Sequence, residues 1–298
     1  MANYIQRSGT KKQWLENKAI MGVFGLMKLL PYRSRNRLMG ASLRGILGTI
    51  IGYRKRIMDN LNLIYPDMMQ ERKVEIADQV LDNAGRTFIE NVYPTNFLAN
   101  NLEIELWGEG LEEVLEAHAS GRPIMFYSGH FGNHEAFRAA LYQRGIKVGG
   151  MVRRMANPYF DINYKNMLDI DGRSGPVFEA HSKGTLGFFK ALKKGSALVL
   201  LIDLAVSNGK FVNFMGKPAC TSLTAANFAL KSKALFLPYF SMRNPDGESF
   251  CVEIGTPIKH SDPLIMTQEA TKSLEDRITK DPGNWFWIHR RWKHSPQS

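Results

Sequence analysis

Acidic residues are almost missing from the first 56 positions, where Glu16 stands alone against twelve lysines and arginines. The rest of the chain carries 27 basic and 27 acidic side chains, so the whole formal excess of +11 sits in the N-terminal fifth. That excess lies in an apolar, glycine-containing arm and not in a module shaped to a groove, so no nucleic-acid partner is expected. Cations gathered in this way point to an anionic surface met by the arm. Cysteine is scarce too. Cys220 and Cys251 are the only two, without metal-ligand spacing, which excludes a disulfide scaffold and points to a reducing compartment with both thiols as small core side chains; a bridge between the two is the alternative. Long hydrophobic runs are also lacking. The stretches Ala19 to Leu30 and Leu38 to Gly52 are broken by Lys28 and Arg44. The first falls short of the roughly 20 apolar residues that span a bilayer and no small-residue cleavage pattern follows it. Both read as amphipathic helices lying in a membrane interface, or as a basic helical cap packed on the domain.

What is present alternates. Residues 67–97 have helical spacing, with Val74, Ala77, Val80, Leu81, Ala84 and Phe88 on one apolar stripe. Strands are expected at 102–107, 123–127, 147–153, 197–202, 234–243 and 250–254, the last after the turn Asn244-Pro245-Asp246-Gly247. Helices are expected at 110–120, 135–141, 183–194, 223–232 and 267–279. Such alternation predicts an α/β fold with a central mixed, largely parallel sheet flanked by helices on both faces. The expected division is a basic amphipathic membrane-associating helical arm over residues 1–56 and one large domain over 57–298, with no internal repeat.

The run Ser128-Gly129-His130-Phe131-Gly132-Asn133-His134-Glu135 carries the chemistry. His130 falls at the turn between an apolar strand and a helix, where α/β proteins place reactive groups. A neutral imidazole takes a proton from a hydroxyl, and a carboxylate on its other nitrogen, here Glu135, fixes the tautomer; no nucleophilic serine or cysteine is then needed. The bland alternative is a surface histidine beside a helix N-terminal glutamate. A zinc site on His130 and His134 is not expected. Gly129 and Gly132 interrupt the helix it needs, and the glutamate follows the second histidine instead of adjoining the first. Oxyanion donors are expected in the backbone near Gly132 and Asn133 or in the Arg153 guanidinium. Arg153 and Arg154 end a strand before Asn157-Pro158, and Arg173 lies in a glycine-flanked stretch; they clamp phosphate or carboxylate, or are ordinary surface charge. Asp203 directly follows an apolar strand, where a carboxylate orients a helix N-terminus, an arginine or a substrate hydroxyl. Lys210 to Thr221 reads as an acyl-chain groove or a packed hairpin. The aromatic and basic tail from Gly283 to Lys293 suits a membrane interface or a strand or turn packed on the sheet.

Together with Leu192-Lys193-Lys194-Gly195, Phe214-Met215-Gly216, Ala219, Thr221 and the tryptophans 285, 287 and 292, these features occur in an order that resembles the bacterial lipid A late acyltransferases from about residue 20 to residue 293. That family is similar to the wider glycerolipid acyltransferases in its histidine-x4-acid motif. The resemblance implies a glycerolipid-acyltransferase-like fold and transfer of an acyl chain from an acyl carrier protein thioester to a hydroxyl of a lipid A precursor of the Kdo-lipid IVA type. It implies no cofactor beyond that co-substrate. The implied partners are acyl carrier protein, the lipid A precursor and anionic inner-membrane lipids, at the cytoplasmic face of the membrane. Within it, His130 is the base held by Glu135, and Gly132, Asn133, Arg153, Arg154, Asn157, Arg173 and Asp203 are the substrate-binding candidates. Three positions depart from the pattern: His134 where tryptophan is usual, Leu204 where a polar residue is common, and Met215 in place of phenylalanine. A lysophospholipid, an ornithine lipid or a glycosylated inositol lipid is the alternative acceptor. A non-catalytic basic binding protein is the alternative of another class.

Overall fold

The structure is a computed structural model that describes residues 8–168 and 174–295. Helices lead the chain: α1 (Lys11–Met27), α2 (Tyr32–Ser42), a π-helical turn at Leu43–Leu47, the short α3 (Gly48–Ile50), α4 (Tyr53–Ile64), α5 (Gln70–Val92) and α6 (Pro94–Asn100). Strands and helices then alternate as β1 (Glu105–Trp107), α7 (Leu111–Ala119), β2 (Ile124–Ser128), α8 (His134–Tyr142), β3 (Val148–Val152), α9 (Pro158–Leu168), β4 (Val177–Glu179), α10 (Ser182–Lys193) and β5 (Ala197–Leu201). The hairpin β6 (Lys210–Phe214) and β7 (Lys217–Thr221) follows, then α11 (Thr224–Ser232), β8 (Leu235–Arg243), β9 (Phe250–Ile254) and α12 (Pro263–Lys280).

Strands β2 and β5 carry no charged residue, as expected of strands covered on both faces, and they lie side by side in the middle of the sheet. The order is β1-β9-β8-β2-β5-β3-β4, with only β8 and β9 antiparallel, so the sheet is mixed and largely parallel. One core fills the side that includes α7 and α8, around Phe126, Phe137 and Tyr239; another lies under α10, α11 and α12 around Met125, Phe188 and Leu198.

Three expectations shift. In α5 the buried face is Ile76, Ala77, Val80, Leu81 and Ile89, and Val74 is 40 % exposed, because the stripe runs through Ile76. The strand expected at 102–107 shortens to three residues at the sheet edge. The hairpin β6–β7 turns at Met215 and Gly216, both with positive φ, and packs Phe214 and Ala219 into a third core with Trp285, Trp287 and Trp292. The tail is therefore a series of buried turns, and its tryptophans do not face an interface: Asn60 of α4 donates to the carbonyls of Trp287 (2.7 Å) and His289 (3.0 Å), and Arg291 donates to the Cys220 carbonyl at 2.8 Å. Both cysteines are free thiols.

Within the first 56 residues, Phe24 packs with Ile89 and Val92 of α5. Asn36 donates to buried Glu90, and Leu43 joins the tail's core. The opposite side is apolar and open. Leu15, Leu26 and Leu29 are exposed, and at the turn Ile46 and Ile50 are 72 % and 73 % exposed. Among the described residues no helix is long and apolar enough to cross a membrane.

Candidate active site

Register alone brings the two central residues together. Ser128 at the end of β2 pairs with Leu201 at the end of the parallel β5, so His130 and Asp203 leave neighbouring strands two residues further on, at the C-terminal edge of the sheet. His130 Nδ1 lies 2.8 Å from Asp203 Oδ1. The other carboxylate oxygen accepts the His130 backbone N–H at 2.7 Å and the Trp285 indole N–H at 2.9 Å. Asp203 is buried, and burial alone would raise its pKa; the His130 charge and hydrogen bonds, with the Trp285 bond, outweigh it and hold the carboxyl at about 2. For His130 burial lowers the pKa, but the Asp203 charge and hydrogen bond prevail and leave it above its ordinary value, with Arg153 opposing. Nδ1 therefore carries the proton, and Nε2 is left basic with no hydrogen bond among the described residues.

The carboxylate that orients His130 is thus Asp203 and not Glu135. Glu135 sits in the first turn of α8, where helical spacing delivers its side chain to Arg138 at 2.8 Å; its approach to a histidine is to His134, at 4.0 Å. Burial keeps His134 below its ordinary pKa and so neutral.

The loop between His130 and α8 is held from several sides. Gly132 has φ +57°, and a Cβ there would lie 1.7 Å from the Ser241 carbonyl oxygen, so only glycine fits. Its N–H donates to the Asn284 carbonyl at 2.8 Å, so it is not available as an oxyanion donor. The Asn133 side chain is equally committed: its oxygen caps α8 at the Glu135 N–H (2.9 Å) and its amide donates to Glu90 at 2.8 Å. Glu90 in turn forms a buried two-pronged pair with Arg243, 2.7 Å on each prong. By contrast, the backbone N–H groups of Asn133, the N-cap of α8, and His134, its first residue, have no hydrogen bond among the described residues.

Of the other candidates, Arg153 is exposed on the rim of the cavity at His130 and is unpaired among the described residues. Arg154 is not free, because Glu179 accepts from its Nε and Nη2 at 2.8 and 2.7 Å. Nor does Asn157 reach the site: its oxygen accepts the N–H groups of Tyr159 and Phe160 at the start of α9, and its amide donates to the Gln13 carbonyl at 2.8 Å, tying α1 to α9. Arg173 lies outside the described residues. Sequence reasoning missed Trp285, Glu90, Arg243 and His289. The last accepts the Ala205 N–H on Nε2 at 3.0 Å, and burial lowers its pKa to about 4.

His130 lines two cavities. The larger, about 450 Å³, is walled mainly by β3 and β5 with Gly150, Met151, Val199, Leu200 and Leu201, and carries Glu135, Arg138 and Arg153 toward His130. That volume falls within the usual range of ligand sites, and its walls are predominantly apolar. The hairpin β6–β7 does not contribute to it. The smaller cavity, about 190 Å³, is lined by His130 together with residues of α5 and the tail. Among the described residues no group of three or more His, Cys, Asp or Glu is placed to hold a metal ion.

The family model of bacterial lipid A biosynthesis acyltransferases matches residues 7–294. Similar curated proteins include a lipid A biosynthesis acyltransferase of Haemophilus influenzae, 28 % identical over 80 % of this chain and 76 % of the relative. The lipid A biosynthesis lauroyltransferase of Escherichia coli is 27 % identical over 96 % and 94 %. The palmitoleoyltransferase of the same pathway in E. coli is 24 % identical over 93 % and 90 %.

Proposed function

The chain belongs to the bacterial lipid A biosynthesis acyltransferases, and we propose that it moves a fatty acyl chain from an acyl carrier protein thioester to a hydroxyl of a lipid A precursor of the Kdo-lipid IVA type, with His130 as general base. The observation that carries this reading is an imidazole pinned through Nδ1 to a buried carboxylate while its ring lines both a large apolar cavity and a second one. The acyl chain occupies the larger cavity. His130 Nε2 takes the hydroxyl proton as that oxygen attacks the thioester carbonyl, and Asp203 stabilises the imidazolium. The C–S bond then breaks, and the departing sulfur receives the proton from Nε2. Arg153 and the free N–H groups of Asn133 and His134 are the donors for the tetrahedral oxyanion, a contribution of typically ~3–4 kcal/mol for one such donor.

The open apolar side of the arm, with Ile46 and Ile50 at its turn and lysines and arginines around it, supports attachment within the interface at the cytoplasmic face of the inner membrane. Anionic head groups and the acidic acyl carrier protein both fit the basic excess.

The test is transfer of labelled acyl groups from a panel of acyl carrier protein thioesters to a lipid A precursor in detergent micelles, read by mass spectrometry. Acylation of lysophospholipids in place of the lipid A precursor would overturn the acceptor assignment. The pH profile follows from the dyad. A base must be unprotonated, so the rate is expected to fall as pH drops through a pKa above the ordinary histidine value of 6.5, and to level off above it. A profile flat across that range would count against His130.

Relatives are named for different acyl groups, so chain length is set within the cavity and not by family membership. Gly150 lines its wall, and a Cβ there would sit 3.4 Å from Val199, in ordinary contact. A Cβ is therefore tolerated there, and Gly150→Leu is expected to take up part of the cavity. Selectivity for the longer over the shorter thioester is expected to drop by at least about tenfold, as for other single apolar groups in a pocket; competition between two thioesters in one tube measures it.

A further inference from the structure

The mouth of the larger cavity is marked by its exposed lining residues, Arg153 and Ala180, and Thr185 in the first turn of α10 lines the cavity beside them. The helix that starts at this mouth is basic on a single face. At about 100° per residue, Lys183, Leu186, Lys190 and Lys193 fall within about 80° of arc, opposite the buried Phe188 and Leu192. All four are exposed, and exposed Lys194 follows them. The step from Lys183 to Lys193 is about 15 Å long, so the stripe leads away from the mouth down the whole helix. No Asp or Glu occurs between Ala180 and Ile202, and Glu179 just before them is held by Arg154 and Lys165. The pattern works against the helix itself. Lys183 stands in the first turn, where the helix dipole disfavours a cation, and Lys190 repels Lys193 and Lys194 at spacings of three and four. A partner of opposite charge offsets both effects.

We infer that this face of α10 is the docking surface for the acidic carrier protein that brings the acyl thioester, with carboxylates of the carrier against Lys183, Lys190 and Lys193 around Leu186; the inference rests on the acyltransferase reading above. From there the acyl chain enters past Arg153 and Ala180 toward His130. Cations beside a mouth steer an anionic partner to it and raise its on-rate. An anionic membrane is the poorer match. A helix lying in an interface buries an apolar face, and α10 exposes one large apolar residue, Leu186 at 53 %, whereas the arm exposes Leu15, Leu26, Leu29, Ile46 and Ile50.

Steady-state kinetics in micelles test this, with the best-transferred acyl chain carried either on acyl carrier protein or on uncharged pantetheine. In the triple variant Lys183→Glu, Lys190→Glu, Lys193→Glu, KM for the carrier-borne thioester is expected to rise at least about tenfold, because attraction becomes like-charge opposition. KM for the pantetheine thioester and for the lipid acceptor stays unchanged. Salt raises the carrier-borne KM of the wild type and has little effect on that of the triple alanine variant, which also serves where charge reversal impairs folding by circular dichroism. An unchanged carrier-borne KM overturns the inference, and so does an equal rise for both thioesters, the mark of a distorted cavity. Lost sedimentation with phosphatidylglycerol vesicles at an unchanged carrier-borne KM overturns it in favour of the membrane. If the wild type uses the two thioesters equally well, the carrier-protein donor of the proposed function fails instead, before any variant is compared.

Discussion

Transfer by His130→Ala is expected to run about 10²–10⁴ times slower than wild type, the usual span for a lost general base. The imidazole is one-third exposed and lines both cavities, so truncation removes the proton acceptor without opening a core. Asp203 keeps two of its three donors, the residue-130 backbone N–H and the Trp285 indole, so the loop remains anchored through Oδ2. Gly132 likewise stays tied to Asn284, and Asn133 to Glu90. The variant is therefore expected to fold, with a circular dichroism spectrum like that of the wild type. Mass spectrometry of the lipid product at matched protein concentration gives the rate. Near-normal transfer by a folded His130→Ala protein would remove the general base from the mechanism.

Local patterns revealed the elements but not their partners. β2, β5 and β9 fall within one residue of their expected limits because short apolar runs between turn residues leave little choice of boundary. His130 and Asp203 were both visible as polar residues at the ends of such runs. Their pairing was not, because it depends on β2 and β5 being neighbours in the sheet across 73 residues of chain, and strand order has no local signature. Glu135 was the nearer carboxylate in sequence, yet a helix turns each side chain about 100° from the last and delivered it to Arg138. The tail misled in another way. Tryptophans beside arginines suit a wet interface and a core equally well by composition. The choice was made by distant residues: Asn60, Phe214 and Asp203, which satisfy or stack on them. Arg154 and Asn157 looked free because their partners Glu179 and Gln13 lie 25 and 144 residues away.

Asp203→Asn is expected to cost about 10³–10⁴ in transfer rate, comparable to the loss when the aspartate of a serine-protease triad becomes asparagine, whereas Glu135→Gln should cost less than about tenfold. The asparagine amide keeps the shape of the carboxylate but loses one acceptor, and all three groups facing it are donors: His130 Nδ1–H, the His130 backbone N–H and the Trp285 indole N–H. If the amide oxygen faces the backbone and indole, its NH₂ meets Nδ1 and forces the proton to Nε2, which then cannot act as a base. If the oxygen faces Nδ1, the NH₂ opposes two N–H groups and the loop is pushed away. Either arrangement disables the dyad. The pH profile separates this from a general loss of structure. Asp203 is what raises the His130 pKa against burial, so in residual Asp203→Asn activity the acid limb should move to lower pH, while Glu135→Gln leaves it near the wild-type position. The reverse pattern, with Glu135→Gln nearly inactive and Asp203→Asn only mildly slowed, would return the orienting role to Glu135 and would mean that α8 rearranges when substrate binds.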